Sequence, residues 1–161
     1  MKLEIGKVVM HKSLGLCKVI EVTKRDDIPY YKLQTISPPC SKLFVPARND
    51  NDTCRNIMNK EDVDELFEYM KTMDPDTTLQ NKQKKEMFTK MLHSNDPKQL
   101  AYLTRTLYLY REEKRNKKQI LGVEDTHIYE QAAKQLHEEI GFVYGIPQDE
   151  VVNLIIEKLK A

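Results

Sequence analysis

Residues 7–36 read KVVMHKSLGLCKVIEVTKRDDIPYYKLQTI, a series of short β-like segments separated by turn residues. The segments cover residues 7–10, 17–23 and 30–36. Within them apolar and polar residues alternate, which is the period of a strand with one buried face. Gly15 can supply a positive φ for the first reversal, and residues 26–29, Asp-Asp-Ile-Pro, form the second turn. The pattern predicts antiparallel hairpins.

Two further segments extend this pattern, at residues 42–45 and, more weakly, at residues 55–57. Prolines in the turn at residues 37–41 separate the third and fourth segments because they fix φ and remove ladder donors, and Pro46 ends the fourth. We therefore predict a small β-barrel. A barrel this short has little interior for a ligand or a catalytic cleft, so its function is expected on the outer edge, in binding another protein.

A helix is predicted after the strands. Asn59 and Asp62 form a capping pair at its start, and the apolar stripe that follows should plug one side of the barrel. That stripe consists of Val63, Leu66, Phe67 and Met70. Residues 74–77, Asp-Pro-Asp-Thr, indicate a linker because Pro75 disfavours helix at the preceding residue. The predicted domains are therefore residues 1–73 and 74–161.

The second domain is predicted to be an all-α bundle of about four helices, which gives the chain an α+β fold in two modules. The helices are expected at about residues 79–93, from Pro97 to a stop near Gly122, at about residues 125–144, and from Pro147 onward. Asp96 is a natural N-cap with Pro97 at the first helical position, and Gly145 is a natural stop.

Charge is unevenly distributed along the 161 residues, although the formal net charge is only +1. Residues 82–118 carry eleven basic side chains against four acidic ones, whereas residues 122–161 carry eight acids against three lysines. Several cations on one surface are what phosphate binding requires, but a charge run is also typical of a solvated face. The cluster at residues 114–118 can equally complement a helix dipole, so both interpretations stay open.

The apolar residues do not predict a membrane anchor. The longest such stretch, residues 140–146, is interrupted by two glycines and is far shorter than the roughly 20 residues of a membrane span. The N-terminus lacks the apolar region of a signal peptide, so we expect a cytoplasmic protein. Cys17, Cys40 and Cys54 are then expected to be reduced thiols, and nothing in the sequence calls for more than a monomer.

No catalytic or metal-binding pattern is present. The sequence has no Cys-x-x-Cys, no His-x-x-x-His and no glycine-rich phosphate loop, so we predict no enzyme, no metal and no cofactor. The adjacent acids Glu138 and Glu139, like Glu112 and Glu113, diverge by about 100° on a helix and cannot form an acid and base couple. We expect these acids to be solvated charges.

Motifs in both modules, taken in order, resemble the CarD/CdnL family of bacterial transcription regulators. In the first module they are residues 5–15, 31–33, 42–46 and 59–63. In the second they are residues 94–96, 103–108 and 131–136. The resemblance therefore spans nearly the whole chain. Each motif is degenerate, and their shared order and spacing carry the resemblance.

The resemblance implies a Tudor-like N-terminal domain that binds the β subunit of RNA polymerase, as the corresponding domain of transcription-repair coupling factor does. Binding would occur by addition of an edge strand, in which backbone hydrogen bonds give affinity and neighbouring side chains give specificity. The implied contact residues are Lys24, Arg25, Lys42, Leu43, Phe44 and Val45. Phe44 stands where some members have an arginine, which predicts a more apolar interface.

The resemblance also implies that the helical domain contacts promoter DNA. Members of the family place a tryptophan wedge at the start of this domain, but this chain has no tryptophan and Asn81 takes that position. Asparagine cannot wedge or stack between bases, so we predict a weak, salt-sensitive contact dominated by the DNA backbone. The implied residues are Asn81, Gln83, Lys84, Lys85, Lys114, Arg115, Lys117 and Lys118.

These inferences predict a non-enzymatic transcription regulator that docks on the polymerase β subunit and modulates the stability of the open complex. The first alternative is an adaptor that binds polymerase or another partner and a second protein, without DNA contact. The second alternative is an enzyme of unrecognised type, which would require a pocket enclosing several ionisable groups.

Overall fold

The computed structural model describes residues 4–36, 42–46, 53–75 and 81–160, without the side chain of Asn81. The predicted turn with Cys40, the loop at residues 47–52 and the linker residues 76 and 77 lie outside the described residues. The chain divides into two compact units between Ile57 and Met58. The fold is α+β, with a sheet in the first unit and helices in the second.

The first unit is a five-stranded antiparallel sheet with the order β4-β3-β2-β1-β5. Its strands are β1 Val8–His11, β2 Gly15–Arg25, β3 Ile28–Thr35, β4 Lys42–Pro46 and β5 Cys54–Asn56. All five predicted strands are confirmed, and β2 is longer than expected at both ends. Asp26 and Asp27, with φ of 51° and 64°, form the two-residue turn between β2 and β3, a geometry that matches the strand twist.

The sheet is open, so the prediction of a closed barrel is wrong for the described residues. Closure requires the two edge strands to pair with each other. Here β4 lies at one edge beside β3, β5 lies at the other beside β1, and the described residues show no pairing between them. The register shift between Val19 and Glu21 in β2 is a bulge, which increases local twist without closing the sheet.

One face of the sheet carries its core, which is built from alternate residues of the strands. The core residues are Val9, Cys17, Val19, Leu33, Val45 and Cys54. The residues that precede Leu33 and Val45 by one position point to the other face, where Phe44 of β4 lies opposite Lys32 of β3 and Lys32 opposite Glu21 of β2. This second face meets solvent at Phe44 and Glu21.

The second unit contains five helices within the described residues. They are α1 Lys60–Thr72, α2 Asn81–Leu92, α3 Pro97–Asn116, α4 Val123–Tyr144 and α5 Gln148–Lys160. The predicted capping box of Asn59 and Asp62 is confirmed, as is the Asp96 cap before Pro97. Gly145 ends α4 in the left-handed region, with φ of 68°. Over the part of the chain described, none of these helices has the length and apolarity to cross a membrane.

Helix α1 packs with the other helices, whereas we expected it to plug the barrel. Its buried residues Val63, Leu66 and Phe67 join a core that includes Leu136 of α4 and Val151 of α5. The division between Ile57 and Met58 accordingly places α1 in the helical unit, whereas we predicted a boundary after residue 73. An amphipathic stripe shows that a helix buries one face but does not show which surface covers it.

The expectation that Glu138 and Glu139 are solvated is also wrong. Both are buried, and Glu139 is only 1% exposed. Its Oε2 accepts a hydrogen bond from the backbone N–H of Met58 at 2.8 Å, which holds the residues preceding α1 against α4. A buried carboxylate requires such hydrogen bonds to offset its desolvation.

Candidate protein and nucleic-acid interfaces

Strand β4 is the first candidate interface because it forms an open edge of the sheet. Among the described residues it pairs with β3 alone, which leaves the backbone groups on its outer side available to another strand. The side chains of Lys42, Leu43 and Phe44 are exposed, and Phe44 is 40% exposed. The side chain of Val45 is 3% exposed and lies in the sheet core, so only its backbone can reach a partner.

Phe44 is surrounded by cations. The guanidinium carbon of Arg25 lies 5.3 Å from the ring centroid, and Nζ of Lys32 lies 5.5 Å from it. Lys32 also pairs with Glu21, with 3.7 Å between Nζ and Oε2. Lys24, the remaining residue of the predicted set, is exposed near the end of β2. The result is an exposed aromatic ring with positive charge on its flanks, an arrangement suited to a partner that is apolar and acidic.

On the helical unit, the predicted DNA-binding residues of α2 are engaged in ion pairs with α4. Lys84 Nζ lies 3.1 Å from Asp125 Oδ2, and Lys85 Nζ lies 2.9 Å from Glu124 Oε1. Lys84 also lies over the ring of Tyr110, 4.8 Å from its centroid. Since its side chain is only 15% exposed, Lys84 primarily joins helices, whereas Lys85 is 59% exposed and Gln83 is exposed.

The predicted cluster at the end of α3 is also partly neutralised. Arg115 lies 3.2 Å from Glu112 and Lys117 lies 3.3 Å from Glu113, both as pairs within one helical segment. Lys118 is exposed just beyond the helix, with φ of 57°, and Lys114 is half-buried. Exposed pairs of this kind contribute little free energy, so these cations can exchange partners with a phosphate.

The two predicted groups meet at one end of the helical unit. Lys84 in the first turn of α2 contacts Tyr110, and Lys114 lies one helical turn beyond Tyr110 on α3. Asn81 begins α2 at the same end. The fold therefore brings together residues about thirty positions apart in sequence, but the first turn of α4 adds Glu124 and Asp125 beside them. This end of the unit is consequently less positive than residues 82–118 alone indicate.

Sequence reasoning missed Lys32 and the acids of α4. Lys32 lies directly opposite Phe44 in the pairing of β3 with β4, so an assigned strand register would have found it. Glu124 and Asp125 lie about forty positions from their lysine partners, and no local signal links them.

Residues 65–156 match the family model for the CarD C-terminal domain. The matched range begins within α1, ends within α5 and covers more than half of the chain, while the sheet unit lies outside it. The chain therefore belongs to the CarD family, which makes it a transcription-associated regulator. No curated protein matches the chain.

Proposed function

We propose that this protein docks on the RNA polymerase β subunit through the edge of β4 and contacts promoter DNA through the shared end of α2 and α3. The observation that carries the proposal is the open edge of β4, because strand addition needs unpaired backbone groups beside a specific side chain. Phe44, flanked by Arg25 and Lys32, supplies that side chain. Docking would then hold the helical unit close to DNA and alter the lifetime of the open complex.

The test of docking is binding to the isolated lobe of a bacterial polymerase β subunit. Phe44→Asp places a charge on the exposed face of β4 and should weaken binding at least tenfold, since truncated aromatic anchors commonly cost 2 kcal/mol or more. Val22→Asp is the matched control, because Val22 is a similarly exposed apolar residue whose position in β2 faces the opposite side of the sheet. No binding by the wild type, or equal loss in both variants, would contradict docking at β4.

The test of DNA contact compares two exposed lysines on α2. Lys82 lies in the first turn, as does Lys84, and Lys90 lies in the last turn. Lys82→Glu should reduce the change in open-complex lifetime that the protein causes, and also the salt dependence of that change. Lys90→Glu should leave both unchanged. An unchanged lifetime on several promoters at low salt, with wild-type protein present, would contradict a role at the open complex.

The adaptor function is the second candidate, because a specific observation favours it. Lys84, Lys85, Arg115 and Lys117 are all engaged in ion pairs, which reduces the charge that DNA would meet. An adaptor would keep its transcriptional effect when Lys82 and Lys114 are both changed to glutamate. We propose no catalytic role, and the thiol of Cys17 is buried in the sheet core.

A further inference from the structure

A groove of about 380 Å³ runs between α3 and α5 in the helical unit, and the residues that line it differ from those implied for polymerase or DNA contact. Its α3 wall carries Arg105, Tyr108 and Arg111, and its α5 wall carries Val152, Ile156 and Lys160. Tyr129 and His137 of α4 also line it, two helical turns apart. The α3 wall extends over seven residues and the α5 wall over nine, which is about 10–14 Å at the rise of an α-helix.

The apolar part of the groove is open to solvent. Val152 and Ile156 are 44% and 45% exposed, and Tyr108 is 40% exposed. Val152 and Ile156 are one turn apart on α5, so they form a short apolar stripe beside Tyr108 of α3. Apolar side chains grouped at this spacing are the surface that an amphipathic helix covers when it lies in a groove.

The charged part of the groove is entirely positive. Arg105, Arg111 and Lys160 line it, and none of the described residues that line it is acidic. Helix α5 carries the acids Asp149, Glu150 and Glu157, and none of the three is among the described residues that line the groove. The lining of the groove is thus positive, although residues 122–161, which include α5, carry more acidic than basic side chains.

Arg111 is held in place within this groove. Its guanidinium carbon lies 5.3 Å from the ring centroid of Tyr108 and 5.1 Å from that of Tyr129. Its Nε is buried and has no hydrogen-bond acceptor among the described residues, and Glu112 Oε1 lies 3.9 Å away. The Arg111 side chain is nevertheless 31% exposed, so a carboxylate from a partner can pair with the accessible part of its guanidinium.

We propose that this groove binds an acidic amphipathic helix of a second protein. Leucine-like side chains on one face would cover Val152, Ile156 and Tyr108, and carboxylates along the edge would pair with Arg105, Arg111 and Lys160. The groove's length, the exposure of its apolar stripe and the positive charge of its lining all favour this occupant over a small ligand, which would be mostly enclosed. The proposal is independent of polymerase docking, because it involves no residue of the sheet.

The test uses the full-length protein and a fluorescein-labelled helical peptide of about 14 residues, four helical turns, with leucines at i, i+4 and i+7 and glutamates on the remaining faces. Fluorescence anisotropy should show binding of this peptide. A peptide with lysines in place of the glutamates, and one of the same composition with the leucines distributed around the helix, should each bind at least tenfold more weakly. Equal binding of all three peptides would overturn the proposal.

Variants locate the binding site. Ile156→Glu and Arg111→Gln should each weaken peptide binding by about tenfold or more, as loss of a central anchor does. Phe142→Glu is the matched control, since Phe142 is 44% exposed on α4 and does not line the groove. Ile156 is exposed, so its replacement leaves the core intact even if Arg111→Gln disturbs the fold. Equal affinity of the wild type and Ile156→Glu would overturn the site. Binding of decanoate, a small apolar anion, without binding of the peptide would overturn the proposed occupant.

Discussion

His11 is a buried histidine that acts as a hydrogen-bond acceptor in the first turn of the sheet. Its Nδ1 accepts hydrogen bonds from the backbone N–H groups of Ser13 and Leu14, each at 3.1 Å. An acceptor nitrogen must be unprotonated, and burial, together with the charge of Lys12, lowers the pKa of His11 below its usual 6.5. The neutral ring is therefore part of the folded state.

Stability should fall as the pH drops below 6.5 and His11 contributes to that fall. The unfolded chain binds the proton more readily than the folded chain, so the free energy of unfolding decreases between the unfolded pKa and the lowered folded one, with a slope of at most about 1.4 kcal/mol per pH unit. His11→Asn retains an acceptor oxygen but does not titrate. Urea denaturation at pH 7.5 and 5.5 should show a smaller difference for this variant, and an identical difference would contradict the assignment.

Glu139 offers a second prediction at the scale of one side chain. Glu139→Ala removes the acceptor of the Met58 N–H and should lower the free energy of unfolding by about 1–3 kcal/mol, the cost of leaving a buried donor unsatisfied. Glu139→Gln keeps an oxygen in the same place and should cost less. The comparison is made by urea denaturation, and equal losses in the two variants would show that the negative charge, and not the hydrogen bond, is what matters.

Helices α4 and α5 approach each other closely at Gly141. A Cβ at this position would lie 3.0 Å from the carbonyl oxygen of Ile146 and 3.3 Å from Cγ2 of Val151. Gly141→Ala gains about 1 kcal/mol of helix propensity but forces the start of α5 outward, at a typical cost of 1–3 kcal/mol. We expect a net loss of about 1 kcal/mol in the free energy of unfolding.

Gly122 provides the control for this prediction, because a Cβ there meets nothing within 4 Å. Gly122→Ala should change the free energy of unfolding by less than about 0.5 kcal/mol. Chemical denaturation of both variants makes the comparison. If Gly141→Ala were as stable as the wild type, the approach of α5 would be adaptable and the packing argument would be wrong.

Two lysines of α2 pair with acids of α4 but differ in burial, so we expect their removal to differ in its effect on stability. Lys84→Ala should cost about 1–3 kcal/mol of stability, because it strips a partly buried carboxylate, Asp125, of its partner and exposes Tyr110. Lys85→Ala should cost less than about 0.5 kcal/mol, since that pair is solvent-exposed. Thermal denaturation decides between them, and equal losses would contradict the difference in burial.

Local signals predicted the elements, and non-local pairing decided what the sequence left open. The capping box at Asn59 and the stop at Gly145 are read from neighbouring residues, so they could be predicted. Whether β4 pairs with β5, and which surface covers the stripe of α1, depend on contacts between distant parts of the chain. The partner of Lys84 likewise lies on another helix, so a basic run looked more exposed than it is.

At the scale of the whole molecule, the division at Ile57 predicts which fragments fold. A fragment beginning at Met58 keeps α1 and its buried residues, so it should show cooperative thermal unfolding by circular dichroism. A fragment beginning at residue 74 loses Val63, Leu66 and Phe67 from the helical core and should unfold with a much lower midpoint or without cooperativity. Equal midpoints would contradict the placement of α1.

The residues at the two ends of β4 limit self-association of the protein through this edge of the sheet. Pro46 has no N–H to donate, and Lys42 brings a positive charge to the other end of the strand. An antiparallel pair of two β4 strands would therefore have only about three residues with ordinary backbone groups, too few for a lasting ladder. Concentrated protein should accordingly resist pairing of one β4 edge with another, while a partner that adds side-chain contacts to the same short edge still gains a stable complex.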